Sequence, residues 1–253
     1  MYNIAISALS GLVVFALASA WLGPIAGVVP ALLVMAGVMF WLSRRTGALV
    51  QAEMERVVPL LQERRIDEAT VLLEGIKAKY GRWQVLLDGQ IDSQLGMIDY
   101  LQMKFDDALP KLEKGKWRNW TALTCIGCIQ YRKGDKEAAW ASLSDAADAA
   151  GKEALVYLVW ATLLTRAGDT KRALEVVDRG LTEMPESEQL RNLQKVVANK
   201  KKINTKVFPQ TWYQFFPEEL AQQMVMRGRR DGPPAGMPAA PNQRISARRA
   251  PRR

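Results

Sequence analysis

A chain of 253 residues with two cysteines and no histidine has a short menu of chemistry. Without imidazole, no Ser-His-Asp or Cys-His nucleophile system can be assembled and no His-ligated zinc or haem can be held. Nor does any side chain have an unperturbed pKa near neutrality. The two cysteines fall in Cys125-Ile126-Gly127-Cys128, a spacing used both for dithiol redox chemistry and for metal ligation. A redox pair needs a helix N-terminus after a strand to lower its thiol pKa, whereas these lie inside a helical pattern. A structural zinc site needs further Cys or His ligands, and the chain has none. The pair is therefore expected to be two small, semi-buried side chains. Neither the P-loop pattern nor Gly-x-Gly-x-x-Gly occurs, and acid pairs such as Asp106-Asp107 read as solvated helix starts. These observations point to a protein that is not an enzyme, with no catalytic residue, no metal and no cofactor. Two cysteines also cannot frame a disulfide-stapled secreted domain.

The elements that would position any functional surface begin with residues 1 to 42, which carry no charge. Two apolar runs, Ile4 to Leu22 and Ile25 to Leu42, are each near the length needed to cross a bilayer as a helix. Gly23-Pro24 breaks them, so the expectation is a transmembrane helical hairpin over residues 1–45, with Trp21 near its tip and Trp41 near the opposite interface. Small residues recur four apart at Ser7 and Gly11, Ala16 and Ala20, and Gly23 and Gly27, a spacing that lets helices approach closely in lipid. The first charges, Arg44 and Arg45, place the N-terminus and everything after the hairpin in the cytoplasm by the positive-inside tendency. A cleaved signal peptide ending at Ala18-Ser19-Ala20 is the competing reading, and the uncharged Met1-Tyr2-Asn3 opposes it. Asn119-Trp120-Thr121 fits a glycosylation sequon but falls in the part expected to be cytoplasmic.

Residues 46–202 show helical apolar spacing throughout and only three prolines, Pro59, Pro110 and Pro185. The region repeats. Gly127, Gly134-Asp135, Ala139 and Leu143 align with Ala161, Gly168-Asp169, Ala173 and Val177 at a shift of 34 residues. Leu95-Gly96, Tyr100, Phe105 and Ala108 align with Ile126-Gly127, Tyr131, Lys136 and Ala139 at a shift of 31, and a degenerate copy falls on Ile66, Ala69 and Leu73. Small residues on both helices of a pair permit close approach, Gly134 and Gly168 suit left-handed backbone at the helix exit, and Pro185 stops the last copy before Ser187 caps the next helix. Glu186 to Lys202, with Leu190, Leu193 and Val196-Val197 on one stripe, reads as the helix that covers the end of the stack.

This pattern resembles the tetratricopeptide repeat (TPR) family. Added to the two apolar runs, the resemblance implies an all-α chain: two transmembrane helices, then an α-solenoid of about three to four helical hairpins and a disordered basic tail. It also implies a groove lined by the first helix of each hairpin, which would bind a protein partner. The positions that match the family's groove are Ser93, Met97 and Tyr100, then Thr124, Cys128, Tyr131 and Arg132, then Leu158, Thr162, Thr165 and Arg166. They lack the Lys and Asn pattern of family members that clamp a chaperone's C-terminal carboxylate.

Residues 203–226 contain five aromatics within nine positions, Phe208, Trp212, Tyr213, Phe215 and Phe216, bracketed by Pro209 and Pro217. Such a segment either folds back on the array or docks on a partner or a membrane interface. Residues 227–253 hold Arg227, Arg229, Arg230, Arg244, Arg248, Arg249, Arg252 and Arg253 against Asp231 alone, so this stretch supplies +7 of the formal charge of +9. Its composition reads as a disordered tail suited to a polyanion, either anionic lipid or nucleic acid. The function expected from all of this is a membrane-anchored scaffold or adaptor that recruits a protein partner through a cytoplasmic groove, as part of a hetero-complex. The alternatives are an outward-facing protein of envelope assembly and a membrane tether for a polyanion.

Overall fold

The structure is a computed structural model that describes residues 2–63, 65–83 and 86–222. The eight arginines of the expected polyanion-binding tail, Arg227 to Arg253, lie outside the described residues. Every regular element among the described residues is helical.

Helix α1 spans Tyr2–Leu22 and α2 spans Pro24–Glu55. The chain reverses at Gly23, whose φ of 84° needs a residue without a Cβ, and Pro24 opens α2 at a position where its missing N–H costs nothing. Both helices are long and apolar enough to cross a membrane. They pack on each other through small residues: a Cβ on Gly11 would lie 3.1 Å from Met35 Cβ, and one on Gly27 would lie 3.0 Å from the backbone nitrogen of Ser19. Ser7 Oγ lies 3.7 Å from Met39 Sδ. The three pairs share one register, which brings Tyr2 level with Arg44. Of the expected small-residue pairs, Ser7, Gly11 and Gly27 therefore lie in the contact, while Ala16 and Ala20 face outward. The large side chains, Leu9, Leu12, Leu17, Ile25, Leu32 and Leu33, are exposed, as suits lipid-facing positions.

The boundary expected after residue 45 falls inside a helix. At 1.5 Å per residue the 32 residues of α2 extend about 48 Å, well beyond a bilayer core of about 30 Å. Arg44 and Arg45 end the uncharged run, but the buried positions Thr46 and Val50 continue at helical spacing into the next layer. There α2 meets α4 (Ile66–Tyr80), reached through the short α3 (Val57–Gln62).

The remainder is a run of antiparallel helix pairs: α5 (Leu87–Leu101) with α6 (Phe105–Lys114), α7 (Trp120–Arg132) with α8 (Lys136–Ala150), and α9 (Ala154–Arg166) with α10 (Thr170–Glu183). Each second helix also touches the next first helix, and α11 (Glu188–Ala198) covers α9 and α10. The alanines of the repeat, Ala69, Ala108, Ala139 and Ala173, are all fully buried, as are Leu73, Leu112, Leu143 and Val177 one turn further on. Opposite them the size of the partner is matched. A Cβ on Gly96 would come within 2.9 Å of Leu112 Cγ and one on Gly127 within 2.7 Å of Leu143 Cγ, whereas the third pair carries buried Ala161 and the smaller Val177 at the equivalent positions.

The turns follow the repeat with one departure. Gly134 and Gly168 hold φ of 87° and 86°, and Asp135 and Asp169 cap the following helices by accepting from Ala138 N at 3.1 Å and Arg172 N at 3.0 Å. At the equivalent place in α5–α6, Met103 takes φ of 62° and Lys104 supplies no side-chain cap.

Candidate functional site

Helices α5, α7 and α9 lie side by side and present the face on which the family resemblance places a binding groove. That face is covered by the chain's own aromatic segment. After α11 the backbone runs through 3-10 turns at Thr205–Val207 and Gln210–Phe215 and then a helical turn over residues 217–222, and it lies against α7 and α9. We refer to it as the strap.

Its hold has an apolar and a polar part. Trp212, Phe215 and Phe216 are fully buried and Tyr213 nearly so, while Phe208 is half-buried against Trp212. Trp212 stacks on Phe216 with centroids 4.2 Å apart, and Phe215 meets Trp120 of α7 at 6.2 Å. Burying such side chains stabilises by roughly 1.5–3 kcal/mol each. The polar part centres on Arg132, at the last turn of α7. Tyr100 Oη donates to the Phe215 carbonyl oxygen at 2.7 Å, and Arg132 donates to that same oxygen at 3.0 Å, to Tyr100 Oη at 2.9 Å and to Glu218 Oε1 at 2.7 Å. The guanidinium also lies over the Phe105 and Phe216 rings, at 4.9 and 5.8 Å. One repeat further on, Arg166 pairs with Glu219 and sits 4.7 Å from the Phe216 centroid.

Burial acts against the Arg132 charge, but Tyr100, Cys128 and Glu218 around it more than compensate, and its pKa is raised. Burial pushes the Tyr100 phenol well above its ordinary value. Both cysteines are free and fully buried; burial drives the Cys125 thiol far up and the Cys128 thiol up to about 11. Cys125 Sγ rests 3.3 Å from Met97 Sδ. A thiol so placed is the opposite of the exposed, electropositive setting of a reactive cysteine. Among the described residues no group of three or more His, Cys, Asp or Glu gathers to hold a metal.

The expected groove residues divide three ways. Tyr100, Arg132 and Arg166 hold the strap. Thr124, Cys128, Leu158 and Thr162 are buried in the layer, with the Thr124, Thr162 and Thr165 hydroxyls each donating to the carbonyl four residues back in its own helix. Ser93, Met97 and Tyr131 are directed elsewhere, and Met97 meets Cys125. Ser93 Oγ accepts from Asn119 Nδ2 at 2.9 Å and pins the α6–α7 loop, and Tyr131 packs on Trp140 of α8 at 5.7 Å. One step of helical phase separates Tyr131 from Arg132, and that step moves a side chain from one face of α7 to another.

Glu218, Glu219 and Trp120 are contacts of the strap that sequence reasoning did not single out. The signal was present: Arg132 and Arg166 occupy the same repeat position 34 residues apart, and two adjacent acids follow the aromatic run. No protein-family model and no curated protein matches the chain.

Proposed function

We propose that this protein is a membrane-anchored scaffold whose TPR-like array recruits a protein partner at the face of α5, α7 and α9, and that the strap is the built-in competitor for that site. The observation that carries this reading is the recognition chemistry already in use there. A main-chain carbonyl is caught by Tyr100 and Arg132, two carboxylates by Arg132 and Arg166, and aromatic side chains fill the space between. A groove able to hold one such peptide suits an aromatic segment followed by acids from another protein. The strap's fit also leaves room for exchange, because Trp212 Nε1 and Glu218 Oε2 are buried without a hydrogen-bond partner. Continuity of α2 from the hairpin into the first layer would hold the array at a set distance from the bilayer, and the Arg44-Arg45 flank supports a cytoplasmic orientation. Tethering of this kind raises a partner's effective concentration at the membrane.

The test is a crosslinked pull-down of the full chain in detergent, beside Phe215→Ala/Phe216→Ala and the same variant with Arg132→Ala added. Loosening the strap is expected to increase capture of a specific protein, and removing Arg132 to abolish it. Identical captures by all three chains would remove the groove from consideration. Thiol labelling cannot report the orientation of the native chain, since Cys128 is sealed from solvent.

A further inference from the structure

The stack has two long edges. One carries the turns inside each helix pair, around Met103, Gly134 and Gly168. The other carries the loops between pairs, and at its α4–α5 end this edge is joined to the base of the hairpin. Tyr2 N donates to Arg82 O at 2.9 Å, Asn3 N donates to Trp83 O at 3.3 Å, and the Tyr2 and Trp83 rings meet edge to face at 5.5 Å. The shared hairpin register sets Arg44 and Arg45 at the same level.

The α6–α7 loop lies beside this junction. Lys114 O is the nearest neighbour of Gly89 at the start of α5, a Cβ on Gly115 would collide with the Gly89 carbonyl, and Asn119 reaches Ser93. Its sequence, Lys114-Gly115-Lys116-Trp117-Arg118, presents Trp117 at 64% exposure with the Arg118 guanidinium 5.7 Å from its ring. Across the junction Trp83 and Leu86 are 37% and 53% exposed. Large apolar side chains left in solvent beside basic ones are characteristic of a bilayer interface, where the ring sits among headgroups and the cation meets lipid phosphate. Charge is distributed accordingly. Arg82 and then Lys114, Lys116 and Arg118 lie on the two loops nearest the hairpin, and the two acids beside them are each paired, Glu113 with Lys116 at 2.6 Å and Asp88 with Lys77 at 3.8 Å. Further along the same edge the loops carry Lys152 beside Glu153, and then Glu183 and Glu186, so the basic character stops where the stack leaves the hairpin.

We infer that the edge formed by the α4–α5 and α6–α7 loops docks on the anionic headgroup layer of the membrane that holds the hairpin, with Trp83, Leu86 and Trp117 entering the interface and Arg82, Lys114 and Arg118 meeting lipid phosphates. The array then lies with this edge on the bilayer instead of swinging on α2, and the strap-bearing face is held at a fixed attitude to the surface. The inference rests on the reading that α1 and α2 cross the bilayer, and the test separates the two.

The full chain is reconstituted in nanodiscs containing phosphatidylglycerol and labelled with a nitroxide at Leu12→Cys, Trp117→Cys or Lys136→Cys, one site at a time. Lys116→Cys is read as well, since it leaves Trp117 in place. The native thiols are fully buried and stay unlabelled. Oxygen and nickel-chelate accessibilities are expected to place position 12 in hydrocarbon, positions 116 and 117 at headgroup depth and position 136, on the opposite edge, in water. Adding Lys114→Glu and Arg118→Glu, or using phosphatidylcholine alone, is expected to return position 117 to water. If position 12 reads as lipid while 116 and 117 match 136, the docking edge is overturned and the hairpin stands. An aqueous position 12 overturns both readings. A position 117 at headgroup depth that ignores charge and lipid composition overturns the anionic recognition.

Discussion

Helix pairs α1–α2 and α7–α8 solve one packing problem with opposite distributions of bulk. Each turns at a glycine with positive φ and each brings its helices together over glycine, Gly11 and Gly27 in one and Gly127 in the other. In α7–α8 the large side chain is inside, with Leu143 fully buried against Gly127. In α1–α2 the leucines are outside, and the contact is made by Ser7, Gly11, Gly27 and Ala31 with the unbranched Met35 and Met39. Water rewards burial of leucine, whereas lipid is as apolar as leucine and leaves only close packing to hold helices together. The same glycine device therefore serves two opposite distributions of bulk.

The strongest way to break this comparison is to truncate a leucine in each pair. Leu143→Ala is expected to cost about 2–5 kcal/mol in denaturant melting of the array. Leu33→Ala, at a position 69% exposed in the hairpin, should leave that melting unchanged. Leu33→Arg should instead oppose membrane insertion by about 2.5–3.5 kcal/mol and release the chain on carbonate extraction. Equal destabilisation by the two alanine variants would mean that the hairpin buries its leucines after all.

A smaller effect separates the two glycine contacts. Gly127→Ala meets a side chain, Leu143, and is expected to cost about 1–3 kcal/mol, with rescue by Leu143→Val because that pair reproduces Ala161 and Val177. Gly27→Ala meets the backbone of Ser19, which no second substitution can trim, so no such rescue is expected. Thermal melting of single and double variants reads the coupling directly.

Among the described residues only the array buries titratable groups of raised pKa, so the array and not the hairpin should respond to alkaline pH. Below the ordinary thiol value of 9.0 folded and unfolded chains both keep the Cys128 proton; between 9.0 and about 11 the unfolded chain loses it while the folded chain retains it, so stability falls across that window. Cys125 and Tyr100, raised in the same direction by burial, extend the fall upward. Melting temperature is expected to drop from pH 9 to 11, and less steeply in Cys128→Ala, with insertion of the hairpin unaffected.

The smallest prediction concerns the one turn that departs from the repeat. Met103→Gly should relieve a left-handed strain and raise stability by up to about 1 kcal/mol, while Gly134→Ala, where a Cβ would meet nothing within 4 Å, should lose a similar amount through backbone conformation alone.

Much of this architecture was legible in the chain, and the exceptions share a cause. The alignment of Ala69, Ala108, Ala139 and Ala173 located four buried positions, and Ser187 was recognisable as a cap because capping is decided within one helical turn, as it is at Asp135 and Asp169, which the repeat marked without naming their role. The end of α2 was not legible, because a charge pair closes an apolar run without closing a helix; α2 continues for ten residues past Arg45. Tyr131 was assigned to the wrong face because a resemblance transfers repeat positions, and a single residue of phase changes which neighbour a side chain meets.

By itself the sequence determined the two apolar runs, the spacing of the repeats and the small residues that must be buried between helices, since these follow from local periodicity and from the size of side chains four residues apart. What covers those faces was decided only by the tertiary structure. The aromatic density of residues 208–216 announced a segment that would not stay in water, but whether it would meet a partner, a bilayer or its own array was open. The answer depends on a hydrogen bond between Tyr100 and Phe215, 115 residues apart, and on two arginines that the repeat brings into line. Apolar burial is non-directional, so a pattern can require it without naming the surface that provides it.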